Sequence, residues 1–386
     1  MKKECTYLFL LVIIAFGSCQ KEKPAQEKAG SANAGTTTLP EASPKNDTVY
    51  QYAYPDTERR YDTTEVIVGS DVYKAITQAY SLNDSSVVEV YEWDSGEKPV
   101  PHKSYNHDTH YQVRLQKNGK VLFQKAFRKE DFMKLEKENG YIGESAPIPP
   151  VFRGVTADDK VLFDIVFGLP DSDVGGVAML VTDLKGTPLR LQNYSHTGGG
   201  GCDSELQLTN DRKYYLNCSS LYGPAGYIFD FGISDVVYSS FLTDTTFVVI
   251  YDYIISRGYR TEKGVREYHE ERDRKSKNLI FYHVNGKSLA GYRYDGFFEE
   301  LGYTAPVAKV DSSFVLLDGK GESLFIIDIA DPLQNKTTYL HELERLDKRV
   351  KDKTVNEIKL YTPQEYYYFY FTPNGIKYYA STSYEE

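Results

Sequence analysis

The chain has 386 residues, enough for one large domain or two ordinary ones. Its formal net charge is −10, and no basic stripe with interleaved aromatics interrupts that acidity. It is therefore a poor general binder of nucleic acid or of anionic head groups, and no nucleic-acid partner is expected.

The chain opens with Lys2 and Lys3, then an apolar run from Thr6 to Phe16, then small residues. The run is about half of the ~20 residues that a helix needs to cross a bilayer. A basic start, a short apolar stretch and a small-residue exit predict a signal peptide over residues 1–18 rather than a spanning helix. The exit, Phe16-Gly17-Ser18-Cys19, resembles a bacterial lipobox, where signal peptidase cuts just before an acylated cysteine. The resemblance implies that Cys19 is lipidated and that the protein is anchored to the outer membrane. A plain signal peptide followed by an incidental cysteine is the alternative. Gln20-Lys21-Glu22-Lys23 resembles the export signal of surface lipoproteins of the Bacteroidota, except that Lys23 stands where a second acid is expected. A solvated charge run fits the same residues, so the cell surface and the periplasmic face both remain open.

Residues 19–47 are rich in Lys, Glu, Ala, Gly, Thr, Ser and Pro. Such a segment cannot bury enough apolar surface to fold by itself and reads as a tether. From Thr48 to Glu386 the chain is β-rich, with short runs of β-branched and aromatic residues between turns. Its 34 tyrosines suit the half-buried face of a strand, and exposed ones make contact surfaces. Two segments read as helix. Ser70–Tyr80 is a candidate, and Arg128–Gly140 has Phe132 and Leu135 on one face and Gly140 as a stop.

Between these segments, "PHKSYNHDTHYQV" places His102, His107, His110 and Asp108 together, and imidazoles with a carboxylate are proper ligands for zinc or another divalent ion. The plain reading is a polar loop entering a strand, and no cofactor is expected. Asp171 and Asp173 supply only part of a calcium site and read better as a turn. The run Gly198–Gly201 lacks the lysine and helix of a phosphate loop. In "CDSELQLTNDRKYYLNC" two short strands flank a turn at Thr209–Lys213, and a register about Asn210 sets Cys202 opposite Cys218. An exported protein meets oxidising conditions, so a disulfide is expected there. In "YDGFFEELGY", Phe297 and Phe298 are candidates for ligand contact. The adjacent Glu299 and Glu300 would point to opposite faces of a strand, the wrong geometry for a catalytic pair. No GxSxG motif and no HExxH spacing occurs.

A hairpin unit recurs, with strand, turn and second strand starting at Tyr111, Val177, Tyr227, Asn278, Ser323 and Tyr367. Four strands per 40–50 residues is the period of a propeller blade. On this rhythm and the lipobox, the chain resembles the six-bladed β-propeller lipoproteins of the Bacteroidota. The resemblance implies an all-β, propeller-like domain of about six blades with one short inserted helix. The segment near Thr48 would then complete the last blade. Two β-sandwich domains, divided near residues 195–202, are the alternative. The function expected is a lipid-anchored envelope protein that presents a β-rich surface to a protein or glycan partner. An envelope enzyme acting on glycan or peptide is the competing expectation.

Overall fold

The computed structural model describes residues 48–94, 99–135, 141–172, 174–197, 202, 204–232, 236–262, 265–299, 302–350 and 355–384. The signal segment, Cys19 and the tether lie outside them. The described chain is nearly all strand. It begins with β1 (Val49–Tyr52), β2 (Arg59–Val68), β3 (Asp71–Ser81), β4 (Val87–Asp94), β5 (Pro99–Asn106), β6 (Thr109–Lys117) and β7 (Lys120–Phe127). β2, β3, β6 and β7 form the first four-stranded sheet, and β1, β5 and β4 form a smaller side sheet. Two short helices follow, α1 (Lys129–Met133) and α2 (Tyr141–Glu144).

Sheet 2 contains β8 (Val151–Val155), β9 (Val161–Gly168), β10 (Gly175–Thr182) and β11 (Pro188–Thr197). Sheet 3 contains β12 (Gln207–Leu208), β13 (Tyr215–Leu216), β14 (Ser220–Tyr222) and β15 (Ile228–Asp230). Sheet 4 starts with β16 (Val236–Phe241) and β17 (Thr246–Tyr251), sends out an arm made of β18 (Ile254–Glu262) and β19 (Val265–Arg272), and closes with β20 (Leu279–His283) and β21 (Ser288–Tyr292). A hairpin of β22 (Phe297–Glu299) and β23 (Gly302–Thr304) leads to sheet 5, built from β24 (Val307–Val310), β25 (Ser313–Leu317), β26 (Ser323–Asp328) and β27 (Asn335–Tyr339). Sheet 6 contains β28 (Glu344–Arg345), β29 (Asn356–Tyr361), β30 (Tyr366–Thr372) and β31 (Gly375–Ser381).

Six four-stranded sheets in series make the domain propeller-like. Edge strands of neighbouring sheets approach one another, β2 to β8, β8 to β12, β12 to β16 and β24 to β29. β9 and β17 are covered on both faces, which explains why they read as nearly continuous apolar runs rather than alternating ones. Buried side chains join sheet 1 to 2, sheet 2 to 3 and 4, sheet 4 to 5, and sheet 5 to 6. The second of these clusters unites Met179 and Tyr194 with Leu216 and Phe247, so the chain does not divide into two sandwiches near residues 195–202.

Four expectations need correction. Ser70–Tyr80 is strand, not helix: Tyr73, Ala75, Thr77 and Ala79 are buried in alternation, a period of two. The single helix expected over Arg128–Gly140 is a short α1 that stops at Met133, with a second helix at Tyr141; residues 136–140 lie outside the described ones. The unit at Tyr227 is not one hairpin, because β15 ends sheet 3 and β16 begins sheet 4. Finally, the segment near Thr48 does not complete the last sheet. β1 pairs in parallel with β5, while the outer edge of sheet 6 is filled by β28, which pairs in parallel with β31.

Cys202 and Cys218 are bridged, with Cα atoms 5.9 Å apart. Their register differs from the expected one. β12 and β13 pair Gln207 with Leu216, a ladder that would set Cys218 opposite Glu205. The cysteines meet outside the ladder, where Ser195 Oγ donates to the Cys202 carbonyl at 2.6 Å.

Candidate functional site

The connection from β5 to β6 is only His107 and Asp108, and it lies beside α2 and the exit of β1. These pieces enclose a groove of about 650 Å³. Tyr52, Tyr54 and Pro55 form one wall, Asn106, His107 and Thr109 the floor, and Glu144 to Pro147 with Leu169 to Ser172 the far side. Arg60 is fixed at one end. Its guanidinium bonds Asp56 at 2.8 Å, Glu58 at 2.7 Å and the Pro147 carbonyl at 3.2 Å.

Two groups in the groove have chemistry to offer. His107 Nδ1 accepts the Ser85 backbone N–H at 3.0 Å, which leaves the proton on Nε2. That Nε2 is buried and has no hydrogen-bond partner among the described residues. Glu144 is partly buried, and burial pushes its carboxyl above the ordinary value, against the pull of the Lys129 charge and the Ser104 hydroxyl.

Behind the groove lies a polar chamber. Lys129, at the start of α1, is buried and donates from Nζ to the carbonyls of Gly143 at 2.7 Å and Ser145 at 2.9 Å. Burial lowers its pKa to about 8, although Asp108, Glu89, Glu144 and Asp84 all favour the charged form. Asn106 Nδ2 donates to Glu89 at 3.0 Å, and Ser104 Oγ donates to Asn106 at 3.2 Å. Gly143 lets the Glu89 carboxyl lie against the backbone of α2, where a Cβ would sit 2.4 Å from it and force that side chain to move. The chamber thus braces α2, which carries Glu144 into the groove.

The histidines do not converge. His102 stacks on Tyr91, ring centroids 5.4 Å apart, on β5. His110 packs against Tyr80 on β6, where burial, Arg128 and Arg59 lower its pKa. Asp108 is spent on the turn: its Oδ1 accepts the N–H of Thr109 at 2.7 Å and of Lys129 at 3.0 Å, and its Oδ2 faces Arg128 at 3.4 Å. Among the described residues no three His, Cys, Asp or Glu side chains could hold a metal ion. The two sheets are the reason: His102 lies on β5 of the side sheet and His110 on β6 of the first sheet, and of the three only His107 lines the groove.

Of the two candidate contact residues, Phe297 is buried and Phe298 is 38% exposed. Phe297 is 6% exposed and meets the edge of Tyr361 at 5.6 Å. Phe298 carries the guanidinium groups of Arg272 at 4.4 Å and Arg274 at 4.8 Å over its ring. A second buried network sits in sheet 2. Asp164 accepts from Arg153 Nε at 2.6 Å and from Tyr194 Oη at 2.8 Å, and Arg153 also reaches Glu205 at 2.8 Å. Each group there is paired, and the network ties sheet 2 to the segment entering sheet 3.

No protein-family model matches the chain, and no curated protein sequence matches it. Among solved structures, apo AztD from Citrobacter koseri is similar at 11% identity and a TM-score of 0.26, over 72% of this chain and 84% of that one. The AfRom2 CNH domain is similar at 10% identity and a TM-score of 0.25, over 86% and 98%. The β-propeller domain of the trilobed protease from Pyrococcus furiosus is similar at 12% identity and a TM-score of 0.22, over 84% and 94%. The propeller-like architecture of this chain rests on its own six sheets.

Glu144, Lys129, Glu89 and Arg60 carry no sequence signal as site residues. Lys129 and Glu144 stand in charged or loop-like stretches whose burial depends on the side sheet folding over them. His107 alone was legible, as one member of a histidine-rich loop.

Proposed function

We propose that the protein is a lipid-anchored binding protein of the outer membrane, held through Cys19, that presents its groove to a protein or glycan partner. The observation that carries this reading is the groove itself. It sets the exposed Tyr54 ring beside the His107 side chain and the Glu144 carboxyl. Aromatic rings beside a few placed polar groups suit a sugar or a peptide turn. The competing reading, an envelope enzyme acting on glycan or peptide, draws support from Glu144. A carboxyl with a raised pKa near an imidazole is the kind of pair that general acid–base chemistry uses.

Both readings are tested by titrating envelope glycans and short peptides against the wild type, Tyr54→Ala and Glu144→Gln. A binder is expected to release every probe unchanged, and Tyr54→Ala to weaken binding about tenfold, ~1.4 kcal/mol. Product formation that disappears in Glu144→Gln would establish the enzyme instead. The anchor is tested by Cys19→Ala, which is expected to release the protein from membrane fractions. Unchanged retention would make the apolar segment itself the anchor. Protease shaving of intact cells then tells the surface from the periplasmic face.

A further inference from the structure

The side sheet leaves a valine- and tyrosine-bearing face open. Its register sets Tyr50, Lys103 and Val90 in one row and Tyr52, Tyr105 and Val88 in the next. Strand alternation puts all six on one face. That face is open to solvent, with Tyr50 59% and Val90 71% exposed. The opposite face carries Glu89, Ser104 and Asn106 and packs over Lys129 and α2. A one-sided sheet in water ordinarily turns its apolar side chains inward and its polar ones out. Here valine and tyrosine make up much of the open face, beside Lys103 and Glu92, while the covered face mixes Glu89, Ser104 and Asn106 with Val87, Tyr91 and His102.

We infer that this open face seats on the lipid bilayer to which the tether leads. The inference rests on the proposed lipid anchor. Three features select a bilayer over other occupants. Tyrosine has an apolar body and a polar tip, the shape that collects at the boundary of head groups and acyl chains. Lys103, its ammonium 5.1 Å from the Tyr105 ring centroid, has the reach to lie along an apolar surface and place its charge among phosphates. A glycan would also stack on the tyrosines, but its hydroxyls need several amides or carboxylates, and among the described side chains this face offers only Glu92, beyond the two rows. The third feature is position. β1 is an edge strand of this sheet, and it begins at Val49, where the tether ends. An unstructured chain of about 28 residues spans ~30 Å on average, so an anchor at Cys19 would keep this face at high effective concentration near the membrane. A seat too weak to hold a free protein then suffices to orient an anchored one.

The reporter is a tryptophan placed on the open face, Val88→Trp in a Trp93→Phe chain, and this chain serves as the wild type of the comparison. The mature lipidated protein is incorporated into phosphatidylcholine vesicles made with plain or brominated acyl chains, and the fluorescence of this tryptophan is compared. The wild type is expected to be quenched by the brominated lipid. In Tyr50→Ser/Val90→Ser, the quenching is expected to fall at least about twofold while vesicle association persists. Both positions are exposed and outside the groove, and an unchanged melting temperature confirms that the variant folds. Wild-type protein that associates with vesicles but is not quenched would overturn the seat and leave the anchor standing. Equal quenching in wild type and variant would overturn it as well. Wild-type protein that fails to associate at all would overturn the anchor, and the seat with it. Lys103 shielded from amine reagents in intact cells, with the tryptophan at position 88 unquenched in vesicles, would mean that a macromolecule covers the face instead of lipid.

Discussion

Lys129 stands in Arg128-Lys129-Glu130-Asp131, a run that reads locally as the solvated start of a helix. In the fold its ammonium is enclosed by α2 and the side sheet, and only the carbonyls of Gly143 and Ser145 and the nearby carboxylates make that tolerable. Nothing in the run encodes the enclosure, because strands from residues 87–106 supply the cover. The burial has a pH signature. Below about 8 the ammonium is charged in both folded and unfolded chains; between about 8 and the ordinary 10.5 only the unfolded chain keeps the proton. The unfolded state then binds more protons, so this residue makes stability rise with pH through that window. Urea midpoints on either side of the window should show the rise in the wild type and lose it in Lys129→Met. Equal slopes in the two proteins would mean that the ammonium is solvated. His107 shows the opposite relation between sequence and structure. Its neighbours mark it as unusual, yet what matters in the fold is the single Nε2 proton that the Ser85 bond leaves over.

At the scale of the element, the turns were the most legible feature. Asn118 and Gly119 both take positive φ between β6 and β7, as their dipeptide demands. The hairpins starting at Tyr111, Val177, Asn278 and Ser323 are the outer halves of sheets 1, 2, 4 and 5. Failures came where chain order and sheet order part. β15 and β16 look like one hairpin in sequence but belong to different sheets, and only packing decides it. The cysteine pair was legible by type and spacing, though not through the ladder proposed for it. Sheet 3 is made of strands of two or three residues, so the bridge replaces ladder length with covalent closure. Cys202→Ser/Cys218→Ser is expected to lower the unfolding free energy by about 3 kcal/mol, the chain-entropy value for a loop of this size. Urea unfolding checks it, and a loss near zero would mean that sheets 2 and 4 hold sheet 3 unaided.

For the whole molecule, the repeat of about four strands every 40–50 residues carried the architecture, because each sheet must cover its neighbour's face. How the ends are treated was not legible. The sixth sheet recruits β28 from the chain just before it, and none of the four buried clusters includes both sheet 1 and sheet 6. This leaves β1 free of any duty in the last sheet. It lies along β5 as a four-residue strand with every side chain exposed. A molecule held by its N-terminus bears drag and tension through that strand before any other. Pulling on the N-terminus in a force spectrometer should therefore give a small first rupture that frees residues 48–58, well below the force that unravels a sheet. A first event that already releases β2 would show that β1 bears no separate load. In mechanical terms that expectation makes β1 a breakaway link, which yields to a tug on the N-terminus before any of the six sheets does.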